Sequence, residues 1–126
     1  MCGRFFLADS DNSGELRDII DQLNRRGATV KTGEIFPTDT VPVLANNRNR
    51  RVVPFPMQWG YTLPDGRLLI NARSETAGEK ALFQDAMRQH RCLIPATNYF
   101  EWEKRGKEKI KYAIRQADAG LLYKAG

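Results

Sequence analysis

With 126 residues, 41% of them apolar and 28% charged, the chain suffices for one domain that buries about two-thirds of its unfolded surface. Twenty Lys and Arg against fifteen Asp and Glu leave a net charge of +5, which favours a polyanionic partner such as nucleic acid. No run reaches the roughly 18 apolar residues of a membrane helix, the start lacks the blocks of a signal peptide, and Cys2 and Cys92 give no metal-binding spacing, so an intracellular, cytoplasmic protein with free thiols and no metal, cofactor or membrane partner is expected.

In chain order, Phe5-Phe6-Leu7 is a short apolar run that predicts a buried strand or a tucked N-terminal arm. Asn12 and Glu15 stand at capping-box spacing before Leu16, Ile19, Ile20 and Leu23, whose recurrence every three or four residues predicts a helix leaving through Arg25, Arg26 and Gly27. Val41–Ala45 and Arg51–Trp59 read as short strands, with prolines at their ends or on sheet edges and Asn46–Arg50 as the turn between them. Leu63-Pro64-Asp65-Gly66 is a turn, and Arg67–Ile70 is a brief strand that delivers Asn71. A second helix over Lys80–Gln89 would set Leu82, Phe83, Ala86 and Met87 on one face. Cys92–Ile94, Tyr99–Trp102 and Lys109–Ile114 read as strands, the last two joined by a hairpin at Lys104–Lys107. Two helices among many short strands predict an α+β domain whose antiparallel sheet curves into an open barrel.

Cys2 is the residue of greatest chemical interest. Once Met1 is removed, it carries an amine and a thiol on adjacent carbons. An aldehyde condenses with the amine to a Schiff base, and the thiol then closes on the same carbon to give a thiazolidine, which no internal cysteine can form. Asn71-Ala72-Arg73-Ser74-Glu75 follows an apolar strand, where polar side chains sit at a cleft: Asn71 suits orienting an amine, Arg73 holding a phosphate, and Glu75 fixing the arginine. The same segment also reads as a helix cap, with Asn71 or Ser74 satisfying backbone donors. In a strand, Glu101 and Glu103 share one face and Phe100 and Trp102 the other, so Glu101 can enter a site and move a proton, or simply face solvent. Arg4 and Arg73 would bring positive charge to Cys2 and Asn71 if the fold joins those segments.

Cys2-Gly3-Arg4-Phe5, Trp59-Gly60, Ile70-Asn71-Ala72-Arg73-Ser74-Glu75-Thr76, Arg91-Cys92-Leu93-Ile94-Pro95-Ala96 and Tyr99-Phe100-Glu101-Trp102 occur in that order, and together they resemble the SRAP family, the SOS response-associated peptidases. The resemblance implies an α+β, barrel-like fold with a basic cleft for single-stranded DNA, in which Cys2 forms a thiazolidine crosslink to the ring-opened sugar of an abasic site during the DNA damage response. It implies catalytic roles for Cys2 as nucleophile, Asn71 as positioner of its amine and Glu101 in proton transfer. The DNA-binding set it implies is Arg4, Arg73, Ser74, Glu75 and Trp59. Nucleoid association in the cytoplasm is expected if the source is bacterial.

Three features depart from the family pattern. The family's catalytic histidine lies in a later segment, whereas the only histidine here, His90, precedes Arg91-Cys92 and is expected to be structural or exposed. Leu63 is the nearest apolar residue to the position of the family's DNA wedge, and Ile35-Phe36-Pro37-Thr38 replaces its usual asparagine-containing turn. The expectation is therefore an incomplete SRAP-like domain over residues 1–126, with open sheet edges that favour a homo-oligomer or a partner completing the sheet. Two other functions also fit: an N-terminal-nucleophile cysteine peptidase that removes its own Met1, and a non-catalytic DNA-binding remnant.

Overall fold

The computed structural model describes residues 2–9, 14–118 and 120–126. Strand β1 (Phe5–Leu7) is followed by helix α1 (Glu15–Arg25), β2 (Gly33–Ile35), β3 (Thr40–Asn46), β4 (Val52–Gln58), β5 (Tyr61–Thr62) and β6 (Leu68–Leu69). Helices α2 (Ser74–Ala77) and α3 (Ala81–Gln89) precede β7 (Leu93–Ala96), β8 (Asn98–Arg105), β9 (Glu108–Ile114) and β10 (Leu122–Ala125). All pairings are antiparallel, in two four-stranded sheets ordered β2-β1-β8-β9 and β10-β7-β3-β4, plus the ribbon β5-β6. The α+β, antiparallel and open architecture agrees with the sequence reading.

Only Thr97 separates β7 of one sheet from β8 of the other. Its amide donates to the Phe6 carbonyl at 2.8 Å and its hydroxyl accepts from the Ala8 amide at 2.9 Å, so one residue turns the chain between sheets and ties both to β1. The core forms where the sheets face each other: Phe5, Leu7, Ile35, Val41, Val43 and Ala96, closed by Leu16 of α1 and by Leu121.

Helix α1 buries Leu16, Ile19 and Leu23, as their spacing requires. Its exit is a Schellman motif: Gly27 has φ of 75°, its amide bonds the Asn24 carbonyl, and the Ala28 amide bonds the Leu23 carbonyl. The Arg26 guanidinium then reaches the Pro54 carbonyl at 3.0 Å, fastening the helix end to β4. Asn12 of the expected capping box lies outside the described residues, and the N-cap position itself is Gly14.

Three sequence expectations change. The helices number three among the described residues, because Ser74–Ala77 forms the short α2. Leu82 points outward, 45% exposed, while Phe83 alone of α3 is buried. Of the prolines expected at strand ends or on sheet edges, Pro54 and Pro56 do lie in the edge strand β4, but Pro42 lies inside β3, between β4 and β7; Pro42 faces Pro56 and Leu44 faces Pro54. A residue without an N–H cannot join a hydrogen-bonded pair, so these are the non-bonded positions of the ladder, and the prolines of β4 occupy a sheet edge. No helix of the described residues is long and apolar enough to cross a membrane.

Candidate active site

The residues before β1 carry the site's first component. Cys2 is half-buried against the core, and its thiol donates to the Arg4 carbonyl at 3.1 Å. That carbonyl also accepts the Phe100 amide at 3.0 Å, extending the β1–β8 ladder beyond Phe5. Phe5 faces Tyr99 and Phe6 faces Asn98, so continuing the register sets Gly3 across from Glu101. A side chain at position 3 would meet only Ile70 Cδ1, at 4.0 Å, so the glycine leaves room over the strand for the half-buried Glu101.

From the other side comes the end of the ribbon. The Asn71 amide Nδ2 donates to the Cys2 carbonyl at 3.1 Å, joining residues 69 apart in sequence. Trp59, which follows β4, donates its indole N–H to the Ile70 carbonyl at 3.2 Å and packs on Phe5 with ring centroids 5.2 Å apart. Gly60 permits this approach: its φ is 110°, and a Cβ there would lie 2.8 Å from Leu68 Cδ1. Trp59, expected to contact DNA, is thus turned inward against Ile70 and Phe5.

Arg73 precedes α2, its carbonyl accepting the Ala77 amide at 2.8 Å, and no side-chain cap closes that helix. Arg73, Ser74 and Glu75 are exposed, and no ion pair joins Arg73 to Glu75 among the described residues, so the expected fixing of the arginine by that carboxylate is not formed. Asn71 and Arg73 line a small cleft of about 190 Å³ with Thr76, Lys80 and Phe83. Arg4 is strongly engaged: its Nη1 lies 3.2 Å from Glu34 Oε1, and its guanidinium sits 4.4 Å from the Phe36 ring centre and 5.1 Å from that of Trp102. Lys111 reaches the same Glu34 oxygen at 2.7 Å, and these two cations, the Lys111 hydrogen bond foremost, hold the Glu34 carboxyl below its ordinary range.

Lys124 was not singled out in the sequence. On β10 its Nζ sits 3.1 Å from the Phe5 ring centre and 5.4 Å from that of Trp59. Burial pushes its pKa down from 10.5 to about 8, with the Cys2 side chain in its thiolate form opposing the shift. The signal that could have found it is a lone cation inside Leu122-Tyr123-Lys124-Ala125, an otherwise apolar strand. Cys92 is chemically quieter: burial pushes its thiol up, and it packs against Gly126. His90 lies 3.1 Å from Asp85 and lines a different groove with Phe55, Met57 and Cys92. The described residues hold no cluster of His, Cys, Asp and Glu arranged for a metal.

The model of the SOS response associated peptidase family, SRAP, matches residues 1–126. The chain belongs to the SRAP family. It is 32% identical to the abasic site processing protein YoqW of Bacillus subtilis over 139 residues, an alignment covering 100% of this chain and 59% of that protein. Abasic site processing protein YedK of Escherichia coli is 29% identical, over 99% of this chain and 58% of its own length. This SRAP chain therefore spans a little under two-thirds of the curated relatives it matches. Crystal structures of proteins from Bordetella bronchiseptica and Bacteroides thetaiotaomicron share its fold, each with a TM-score of 0.71 over 98% of this chain, at 19% and 21% identity and over 62% and 58% of their own chains.

Proposed function

We propose that this SRAP chain captures abasic sites in single-stranded DNA through Cys2, forming a covalent thiazolidine in the response to DNA damage. The observation that carries the reading is the hydrogen bond from Asn71 to the Cys2 carbonyl, which sets a strand-end amide beside the backbone of the one residue able to present a vicinal amine and thiol. The names of the relatives, abasic site processing proteins, support the same substrate class.

After Met1 is removed, the free Cys2 amine adds to the open-chain sugar aldehyde, and the carbinolamine loses water to give an imine. The thiol then adds to the imine carbon, its proton passing to nitrogen, so one water is released in all. An abasic site suits such a centre because it presents an aldehyde and has no base to be drawn from the stack. Asn71 orients the Cys2 backbone, and Glu101, across from Gly3 in the register of β1 and β8, takes part in proton transfer during Schiff-base formation. Arg4, and Arg73 with Ser74 and Glu75 next to it in the chain, face the phosphates.

Incubating the protein, its mature N-terminus verified by intact mass, with an abasic oligonucleotide gives a shifted band on a denaturing gel, and Cys2→Ala abolishes it. A folded, demethionylated wild type that leaves the oligonucleotide unshifted removes this reading. Turnover of an amide substrate through an acyl intermediate would instead establish the peptidase that the family is named for.

A further inference from the structure

Lys124 lies over two aromatic rings, one of which is tied to the segment that holds Cys2. Asn71 holds the Cys2 carbonyl, the neighbouring Ile70 carbonyl holds the Trp59 indole, and Trp59 packs on Phe5. The Lys124 amine lies over both rings. From β1 it meets Phe5, from the segment after β4 it meets Trp59, and from β7 its register partner is Ile94, all uncharged. Among the described residues, the titratable group that acts on it is the Cys2 side chain, in its thiolate form.

An ammonium on an aromatic face gains from the ring quadrupole, but it loses the water that would otherwise solvate it. A lysine so placed is poised between its two protonation states. Covalent capture requires such a group, because the α-ammonium must lose a proton before it can attack, and the carbinolamine hydroxyl must gain one before it leaves.

We propose that Lys124 is the proton-transfer amine of the Cys2 site, an assignment that rests on the covalent-capture reading. Neutral Nζ takes the proton from the Cys2 α-ammonium, which then adds to the aldehyde carbon. The resulting Lys124 ammonium returns that proton to the carbinolamine oxygen as the C–O bond breaks and water departs. The lysine ends as it began, and no external acid or base is consumed. Its pKa, lowered to about 8 by burial, brings the neutral amine within reach near neutral pH. Glu101 relays the proton that passes from nitrogen to oxygen within the first adduct.

The test is single-turnover crosslinking to an abasic oligonucleotide from pH 6 to 10, with capture of a small aldehyde by the same N-terminus followed by intact mass. Lys124→Met, which keeps the apolar stem, and Lys124→Arg, which keeps the charge but cannot give up its proton, are compared with the wild type. Both variants are expected to slow capture about tenfold or more at pH 8 and to lose the rise in rate centred near that pH, while reaching the same final adduct. If both react within about twofold of wild type at every pH, the assignment to Lys124 is overturned while covalent capture stands. A wild type inert toward both DNA and aldehyde overturns the capture reading itself. Competitive trace acetylation gives an independent readout: Lys124 should label faster at pH 8 than the exposed lysines, and equal labelling counts against the proposal.

Discussion

Replacing Lys124 by Met should stabilise the folded protein at neutral pH, although it removes the proposed proton carrier. In the folded chain the lysine pKa falls from 10.5 to about 8, chiefly because burial over Phe5 and Trp59 strips water from the ammonium. At 1.36 kcal/mol per pH unit that corresponds to about 3 kcal/mol of disfavoured charge, and partial solvent contact and the ring quadrupole reduce the effective penalty to about 1–2 kcal/mol. Between about pH 8 and 10.5 the unfolded chain binds more protons at this site than the folded one, so the lysine's contribution improves as pH rises through that window, and below it the penalty is complete. Lys124→Met should therefore unfold at higher urea concentration than wild type at pH 7, by about 1–2 kcal/mol, and the gap should narrow towards pH 10. Urea titrations followed by tryptophan fluorescence at both pH values measure the difference directly. A variant less stable than wild type at pH 7, or a gap that does not change with pH, would refute the argument that the amine is held desolvated.

Gly60→Ala should cost about 2 kcal/mol in the same titration, because φ of 110° strains any L side chain and the new methyl would press on Leu68; a loss below about 0.5 kcal/mol would mean that the ribbon yields freely. Glu34→Gln removes the carboxylate shared by Arg4 and Lys111, and should tighten single-stranded DNA binding about two- to fivefold at low salt while steepening the salt dependence by roughly one phosphate contact, measured by fluorescence anisotropy. Weaker binding by that variant would show that Glu34 orients Arg4 rather than competing with phosphate for it.

Local features were legible wherever the physics is local. The apolar spacing of Leu16, Ile19 and Leu23 with Gly27 at the exit specifies α1, because both the buried stripe and the left-handed cap are properties of contiguous residues. The hairpin at Gly106 is equally local, since its φ of 60° suits glycine between the paired Arg105 and Glu108. Pro42 of β3 misled because proline forbids a hydrogen bond only on one side of a strand, and which side faces a neighbour is a matter of register, whereas the prolines of β4 lie on a sheet edge as expected. The segment before α2 also read as a helix cap, but a single turn carries no periodicity that would mark the helix itself.

The site divides along the same line. Cys2 stood out because a vicinal amine and thiol is unusual in itself, whereas Asn71 and Glu101 were singled out by their place beside apolar strand residues and by the family resemblance, and nothing near Asn71 says that its amide meets the Cys2 carbonyl. Lys124 illustrates the harder case. Lysine is common and ordinarily solvated, and its environment is made by Phe5 and Trp59, which reach it only after the two sheets have closed on one another. The packing that excludes water from the core therefore also shapes the acid–base character of the Lys124 amine, so a substitution that loosens Phe5 or Trp59 should disturb the proposed proton transfer without touching either reacting group.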